Sequence, residues 1–292
     1  MAPSRPQPVK TASRALVPVP RLAEDGEELH DPRRSDVDEW GRSEHFREMS
    51  RRFYDPIYRR WHRVEWEGQE HIPSTGGALL VANHAGALPP DAPAIMHGIE
   101  TELGRPVYGL AEYIFRTLPV MGTLWARNGG VTAQPENAYR LLREQQQLAL
   151  VFPEGTKGTG KAFSERYRLA RFGRGGFVEI AMRAGVPVIP IAVLGAEEAM
   201  PVLFKVPQVD RLLNVPYVPV TPNLFVFGLL GAFLHFPVKL KIRVLEPIHF
   251  DVAPDQARYS RSKVMDHSED IRERIQEALY DMLRSRRSVW FG

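Results

Sequence analysis

Ala78-Leu79-Leu80-Val81-Ala82-Asn83-His84-Ala85-Gly86-Ala87-Leu88-Pro89-Pro90-Asp91 is the stretch on which the reading of this chain turns. The apolar run 78–82 reads as a strand. The glycine and paired prolines after it read as a loop. Residues from Asp91 to 98 then begin a helix, with Asp91 at its N-cap and Pro93 in its first turn. The same alternation continues along the chain. Strands are expected at 106–110, 148–152, 188–194 and 240–245. Helices are expected at 135–147, at 176–184 (closed by Gly185 and Pro187) and at 268–284, where Ile271, Ile275, Leu279 and Met282 share a face. Such β/α alternation indicates an α/β fold, a single layered domain with a central mixed, largely parallel sheet flanked by helices.

Working outward, residues 1–35 are rich in proline and charge and lack apolar periodicity, so they read as a disordered N-terminal tail. The opening decapeptide has no apolar run of the kind a secretory signal needs. Residues 36–64 read as an amphipathic helical segment. Phe46, Met49, Phe53, Ile57 and Trp61 recur at helical steps with arginines around them, and Asp55-Pro56 reads as a cap before a second helix. A basic helix with aromatic anchors suits a membrane surface, and an amphipathic helix packed on the domain has the same pattern. Residues 65–292 then form the main domain.

Composition excludes several chemistries. The chain has 292 residues, 43% hydrophobic, enough for a full core, and it has no cysteine. Disulfides, a cysteine nucleophile and thiolate metal sites are therefore excluded. The net charge is only +3, but the basic residues cluster: Arg47, Arg51, Arg52, Arg59, Arg60 and Arg63; then Arg166, Arg168, Arg171 and Arg174; then Arg284, Arg286 and Arg287. Such clusters attract phosphates or serve only for solubility. No zinc finger, RNP signature or basic zipper is present, so no nucleic-acid partner is expected. The run 224–236 is the one long apolar stretch, too short to span a bilayer of about 20 helical residues. It reads as a greasy loop touching lipid, the wall of an acyl-chain groove, or a core segment.

Two motifs carry the chemistry. His84 follows a strand, where open α/β sheets expose their functional ends, and Asn83 can brace the turn. Asp91 can accept from one ring nitrogen, fixing the tautomer and leaving the other as a base. The second motif, Phe152-Pro153-Glu154-Gly155-Thr156-Lys157-Gly158, follows another strand. Gly155 permits close backbone approach, Thr156 brings a hydroxyl and Lys157 a cation; an ordinary tight turn with a solvated lysine would read the same. Between them, Arg127 closes the segment from Gly122. It could grip a phosphate bidentately or lie on the surface. A base, backbone donors and cations are the parts needed to move an acyl group onto a hydroxyl.

These blocks, in this order, resemble the glycerolipid acyltransferase superfamily, the group of 1-acylglycerol-3-phosphate acyltransferases. The resemblance rests on Asn83 to Asp91, Gly122 to Arg127, Phe152 to Lys157 and Val186-Pro187-Val188-Ile189-Pro190, and spans residues 65 to 250. Two positions depart from the family pattern. His84 and Asp91 are seven positions apart where the family has five, and Lys157 stands where arginine is usual. The longer loop with its Leu88-Pro89 pair is similar to the diacylglycerol-acyltransferase-like branch. A lysine keeps the charge and loses the planar fork.

The resemblance implies a membrane-associated O-acyltransferase with His84 and Asp91 as catalytic residues. Arg127, Glu154, Gly155, Thr156 and Lys157 would bind the acceptor, a glycerolipid such as 1-acylglycerol-3-phosphate. Acyl-CoA or acyl-carrier protein would be the co-substrate, with its acidic groups at Arg166, Arg168, Arg171 and Arg174. No cofactor and no metal are implied. The expected partners are the lipid acceptor, the acyl donor and a membrane surface, at the cytoplasmic side, peripheral or monotopic. Diacylglycerol or another lipid alcohol as acceptor, thioester hydrolysis, and non-catalytic lipid binding are the alternative functions.

Overall fold

A computed structural model describes residues 36–112, 120–206, 217–256 and 258–292. The expected tail at 1–35 lies outside the described residues. Residues from Val37 to Gly292 form one compact unit. Its elements in chain order are α1 (Glu44–Pro56), β1 (Glu65–Glu67), β2 (Ala78–Ala82), α2 (Asp91–Glu102), β3 (Val107–Ala111), α3 (Met121–Arg127), β4 (Gly130–Thr132), α4 (Pro135–Tyr139), β5 (Leu148–Val151), α5 (Thr156–Thr159), α6 (Gly176–Ala184), β6 (Val188–Leu194), α7 (Ala196–Ala199), β7 (Phe204–Lys205), β8 (Pro219–Val220), α8 (Pro222–Phe227), β9 (Lys241–Val244) and α9 (Arg261–Ser285).

Seven strands form one sheet in the order β1-β9-β6-β2-β5-β3-β4. All neighbours are parallel except β6 and β9, which pair antiparallel. The sheet is thus mixed and largely parallel, as its apolar runs predict. Strands β2 and β6 sit at its centre and are buried along their whole length, because helices cover both faces. The side chains alternate as strand geometry requires. Ala78, Leu80, Ala82, Ile189, Ile191 and Val193 join Tyr58, Ile95 and Ile99 in the layer under α1 and α2. Leu79, Val81, Val188, Ala192 and Leu194 join Val178, Ile271, Ile275 and Leu279 in the layer under α6 and α9.

Several boundaries differ from the sequence expectation. Helix α4 runs regularly only to Tyr139 and finishes in a π-helical turn, Arg140–Glu144. Helix α9 begins at Arg261, about two turns before the start expected at residue 268. Strands β1 and β4, three residues each, carry too few positions to show a period. Asp55-Pro56 does not interrupt the first helix. Proline removes one amide from the ladder, and the chain continues as a wider π-helical turn, Ile57–Trp61, closed by the His62 amide on the Ile57 carbonyl at 2.8 Å.

The largest difference concerns which side of α1 is buried. Arg47 lies under the helix and binds Glu100 of α2, with its Nε 2.8 Å from Oε2; Arg42 reaches the same carboxylate at 3.3 Å. Tyr58 is buried beside them, while Met49, Phe53 and Trp61 face outward. The helix docks by an ion-pair network and tyrosines, and leaves Met49, Phe53 and Trp61 of the apolar stripe exposed while Phe46 and Ile57 are half-buried. The Arg47 block is therefore not one solvated basic face: Arg47 is buried, and Arg63 donates to the Pro237 and Trp61 carbonyls at 2.6 Å.

Candidate active site

Strand β2 delivers Asn83 and His84 at its carboxyl end, next to the end of β5. Asn83 is buried and clamps across to β6. Its Nδ2 donates to the Val193 carbonyl at 2.9 Å and its Oδ1 accepts from the Val193 amide at 2.7 Å. That two-way bond fixes the residue before the histidine in place of the ladder that has just ended.

His84 Nδ1 donates to Asp91, with both carboxylate oxygens at 3.0 Å. Asp91 is wholly buried and the histidine side chain is 16% exposed. The carboxylate also accepts from the Ala85 amide at 3.0 Å and the Ala92 amide at 2.7 Å. Asp91 was expected to cap α2. Pro90 occupies the cap position instead, and Asp91 is the first helical residue, its carboxylate turned back to the histidine. The imidazole stacks on Phe152 with ring centres 4.1 Å apart. A buried carboxylate on one side and an aromatic face on the other hold the ring in a single orientation.

The turn after β5 completes the site. Glu154 was expected to touch an acceptor head group, and its geometry gives it a different task. It is buried, accepts from the His84 amide at 3.1 Å and from the Ala170 amide at 2.6 Å, and has Lys161 Nζ at 3.9 Å. Burial pushes its pKa up, opposed by Lys161 and the two amides. It ties the histidine turn to the arginine-rich loop. Gly155 has φ +53° and ψ −143°, a conformation reserved for glycine. Gly158 is required for contact: a Cβ there would meet the His84 carbonyl oxygen at 2.5 Å. Thr156 is half-buried and Lys157 is exposed on the short helix α5.

Arg127 ends α3, and its carbonyl accepts from the Ser43 amide at 3.2 Å. One guanidinium nitrogen is buried without a partner. No hydrogen bond joins it to His84 or Asp91. Arg166, Arg168, Arg171 and Arg174 are all exposed. Their loop is stapled from below by carboxylates the sequence did not single out. Glu197 accepts from the Tyr167 amide at 2.6 Å and from Lys161 at 2.9 Å, and Glu198 binds Tyr167 and Arg286. Gln276 of α9 holds the loop backbone at Leu169 and Tyr167. Lys161, Glu197 and Gln276 carry no local signal of this role, because each acts on a partner distant in sequence.

The acyltransferase family model matches residues 63–194. The uncharacterised protein ML2427 of Mycobacterium leprae is 40% identical over 262 residues, covering 88% of this chain and 70% of its own length. The bovine DGAT1/2-independent enzyme synthesizing storage lipids is 26% identical over 235 residues, covering 78% of this chain and 67% of its own. Among solved structures, the 1-acyl-sn-glycerophosphate acyltransferase PlsC of Thermotoga maritima aligns with a TM-score of 0.49 at 21% identity, over 83% of this chain and 84% of that one.

Proposed function

The chain belongs to the acyltransferase family, within the glycerolipid acyltransferase superfamily, and from that premise we propose that it moves a fatty acyl group from acyl-CoA or acyl-carrier protein to a glycerolipid hydroxyl at a membrane surface. The observation that carries this reading is the His84 Nδ1 to Asp91 bond, 3.0 Å long, at the end of β2. It puts the proton on Nδ1 and leaves Nε2 a lone pair. Nε2 takes the proton of the acceptor hydroxyl as its oxygen attacks the thioester carbonyl. The tetrahedral oxyanion then collapses, the C–S bond breaks, and His84 returns the proton to the departing thiolate. Asp91 stabilises the imidazolium between these steps. Backbone donors near Gly155 steady the oxyanion.

Lys157 and Arg127 meet the acceptor head group. The exposed arginines from Arg166 to Arg174 hold the donor's phosphates or the acidic face of a carrier protein. The acceptor is 1-acylglycerol-3-phosphate, or diacylglycerol or another lipid alcohol; the bovine relative's name, which speaks of storage lipids, supports a lipid acceptor. The protein sits at the cytoplasmic side of the membrane, peripheral or monotopic. The exposed Met49, Phe53 and Trp61 and the exposed run near Leu229 support attachment to a membrane surface.

The test is a product assay by mass spectrometry. Purified protein meets palmitoyl-CoA and a panel of lipid acceptors, with His84→Ala in parallel. A new ester is expected, with turnover falling at least about 10²-fold in the variant. Undiminished turnover by the variant removes His84 from the chemistry. Free palmitate without a new ester points to a thioester hydrolase, and silence in every combination to a lipid-binding protein.

A further inference from the structure

Between Thr221 and Phe236 there is no formally charged residue. Phe225, Val226, Leu229, Leu230, Phe233 and Leu234 are all exposed, Leu229 by 90%. The segment is not loose. Asn223 is fully buried and donates to the Ala199 carbonyl at 3.0 Å and to the Leu234 carbonyl at 2.8 Å, and the Phe236 amide donates to Ala199 at 2.8 Å. Gly231 lies so close to Asn223 that a Cβ would sit 2.0 Å from its carbonyl oxygen. A pinned loop thus holds its apolar side chains toward solvent.

That loop touches the catalytic one. His235 Nε2 donates to the Leu88 carbonyl at 2.7 Å, three residues before Asp91. Burial lowers the His235 pKa, so the ring is neutral near pH 7 and its one N–H is committed to this bond. The two loops also share an anchor. Ala199 takes both ends of the apolar loop, and the adjoining Met200 carbonyl accepts from the Ala87 amide at 3.0 Å. On its other side the apolar loop meets the π-helical turn that follows α1, where Trp61 Nε1 donates to the His235 carbonyl at 3.1 Å. The same helical segment exposes Met49 and Phe53, and with them Arg60; Arg52 and Arg59, also exposed, pair with Glu48 and Asp55. An apolar surface with aromatic anchors and a flank of arginines complements an anionic bilayer.

We infer that His235 is a positioning residue through which docking of the apolar loop on an anionic bilayer orders the His84–Asp91 loop. The inference rests on the membrane reading above. Seating Leu229, Leu230 and Phe233 in lipid adds a second support to the loop that His235 ends, and the bond to Leu88 carries that restraint to the approach to Asp91.

The experiment compares wild type, His235→Ala and His235→Gln, the last keeping a donor near the Nε2 position. Vesicles of phosphatidylglycerol and phosphatidylcholine are the probe. Flotation reads binding, and amide hydrogen exchange reads the peptide from His84 to Ala92. All three proteins are expected to float. In wild type and His235→Gln, vesicles slow exchange of the Ala85 and Ala87 amides about tenfold; in His235→Ala that slowing is lost. Vesicle stimulation of transfer from palmitoyl-CoA follows the same split, in kcat and not in the KM for palmitoyl-CoA. If wild type does not float, the membrane reading falls and the coupling with it. If it floats and exchange is unchanged, or if His235→Ala responds as wild type does, only the coupling falls.

Discussion

Asp91 does three things at once: it accepts from the imidazole, from the Ala85 amide and from the Ala92 amide. Its substitution by asparagine keeps the shape and removes the charge that steadies an imidazolium. Turnover should fall by about 10²–10⁴-fold, the range expected of general acid–base catalysis, with the acceptor KM nearly unchanged. Steady-state kinetics of Asp91→Asn check this; normal kcat would leave the carboxylate only a structural brace. Glu154 shows the opposite case. Its place in the turn suggests contact with a ligand, yet its two oxygens face the His84 and Ala170 amides. A carboxylate in a glycine-bearing turn looks the same in one dimension whether it points out or in.

Helix α1 is held by Glu100, which is 2% exposed and binds Arg42 and Arg47. Removing one partner of such a buried network strands the other charges. Glu100→Ala should destabilise the fold by about 3–5 kcal/mol, measured by urea unfolding; a change under about 1 kcal/mol would mean that the tyrosines alone dock the helix. His62, just after α1, adds a pH dependence. Burial lowers its pKa to about 4 from the ordinary 6.5. Between those values the unfolded chain binds the extra proton and the native one does not, so this contribution is present above pH 6.5 and is lost as pH falls toward 4. Burial lowers the His97 and His235 pKa values as well, with the same sign. Glu154, raised by burial, acts oppositely: its contribution declines as pH rises above the ordinary carboxylate value of 4.5. Thermal melts from pH 4 to 7 should rise with pH, and His62→Asn should flatten the slope.

At the scale of the whole molecule, α1 and the segment after Thr221 both expose apolar side chains, and the two segments meet where Trp61 donates to the His235 carbonyl. No helix among the described residues is long and apolar enough to cross a membrane. The attachment proposed above is docking on the bilayer surface through those residues. Each buried Leu or Phe side chain is worth about 1.5–3 kcal/mol, while exposed arginines act over a Debye length of about 8 Å in physiological salt. Vesicle flotation of Leu229→Ser/Leu230→Ser should fall at least about 30-fold, and added salt should weaken wild-type binding only in part. Complete loss of binding in salt with the double variant unaffected would assign attachment to the arginines instead.

Much of this was legible in the residues. Strands β2, β5 and β6 follow from continuous apolar runs, and the helices from period and capping, because these depend on neighbours within a turn or two. The His84–Asp91 pair was legible too, since one loop and one helix start suffice to bring them together. The chain's own order therefore determined the α/β class, the strand–loop–helix unit and the histidine–carboxylate pair. Tertiary structure alone decided that Arg47 goes inward and Phe53 outward, that Glu154 braces while Lys157 lies exposed, and that His235 reaches Leu88. Those outcomes turn on partners far along the chain. A polar group can be buried only where another element supplies its counter-charge or hydrogen bond, and an apolar one stays exposed where none covers it.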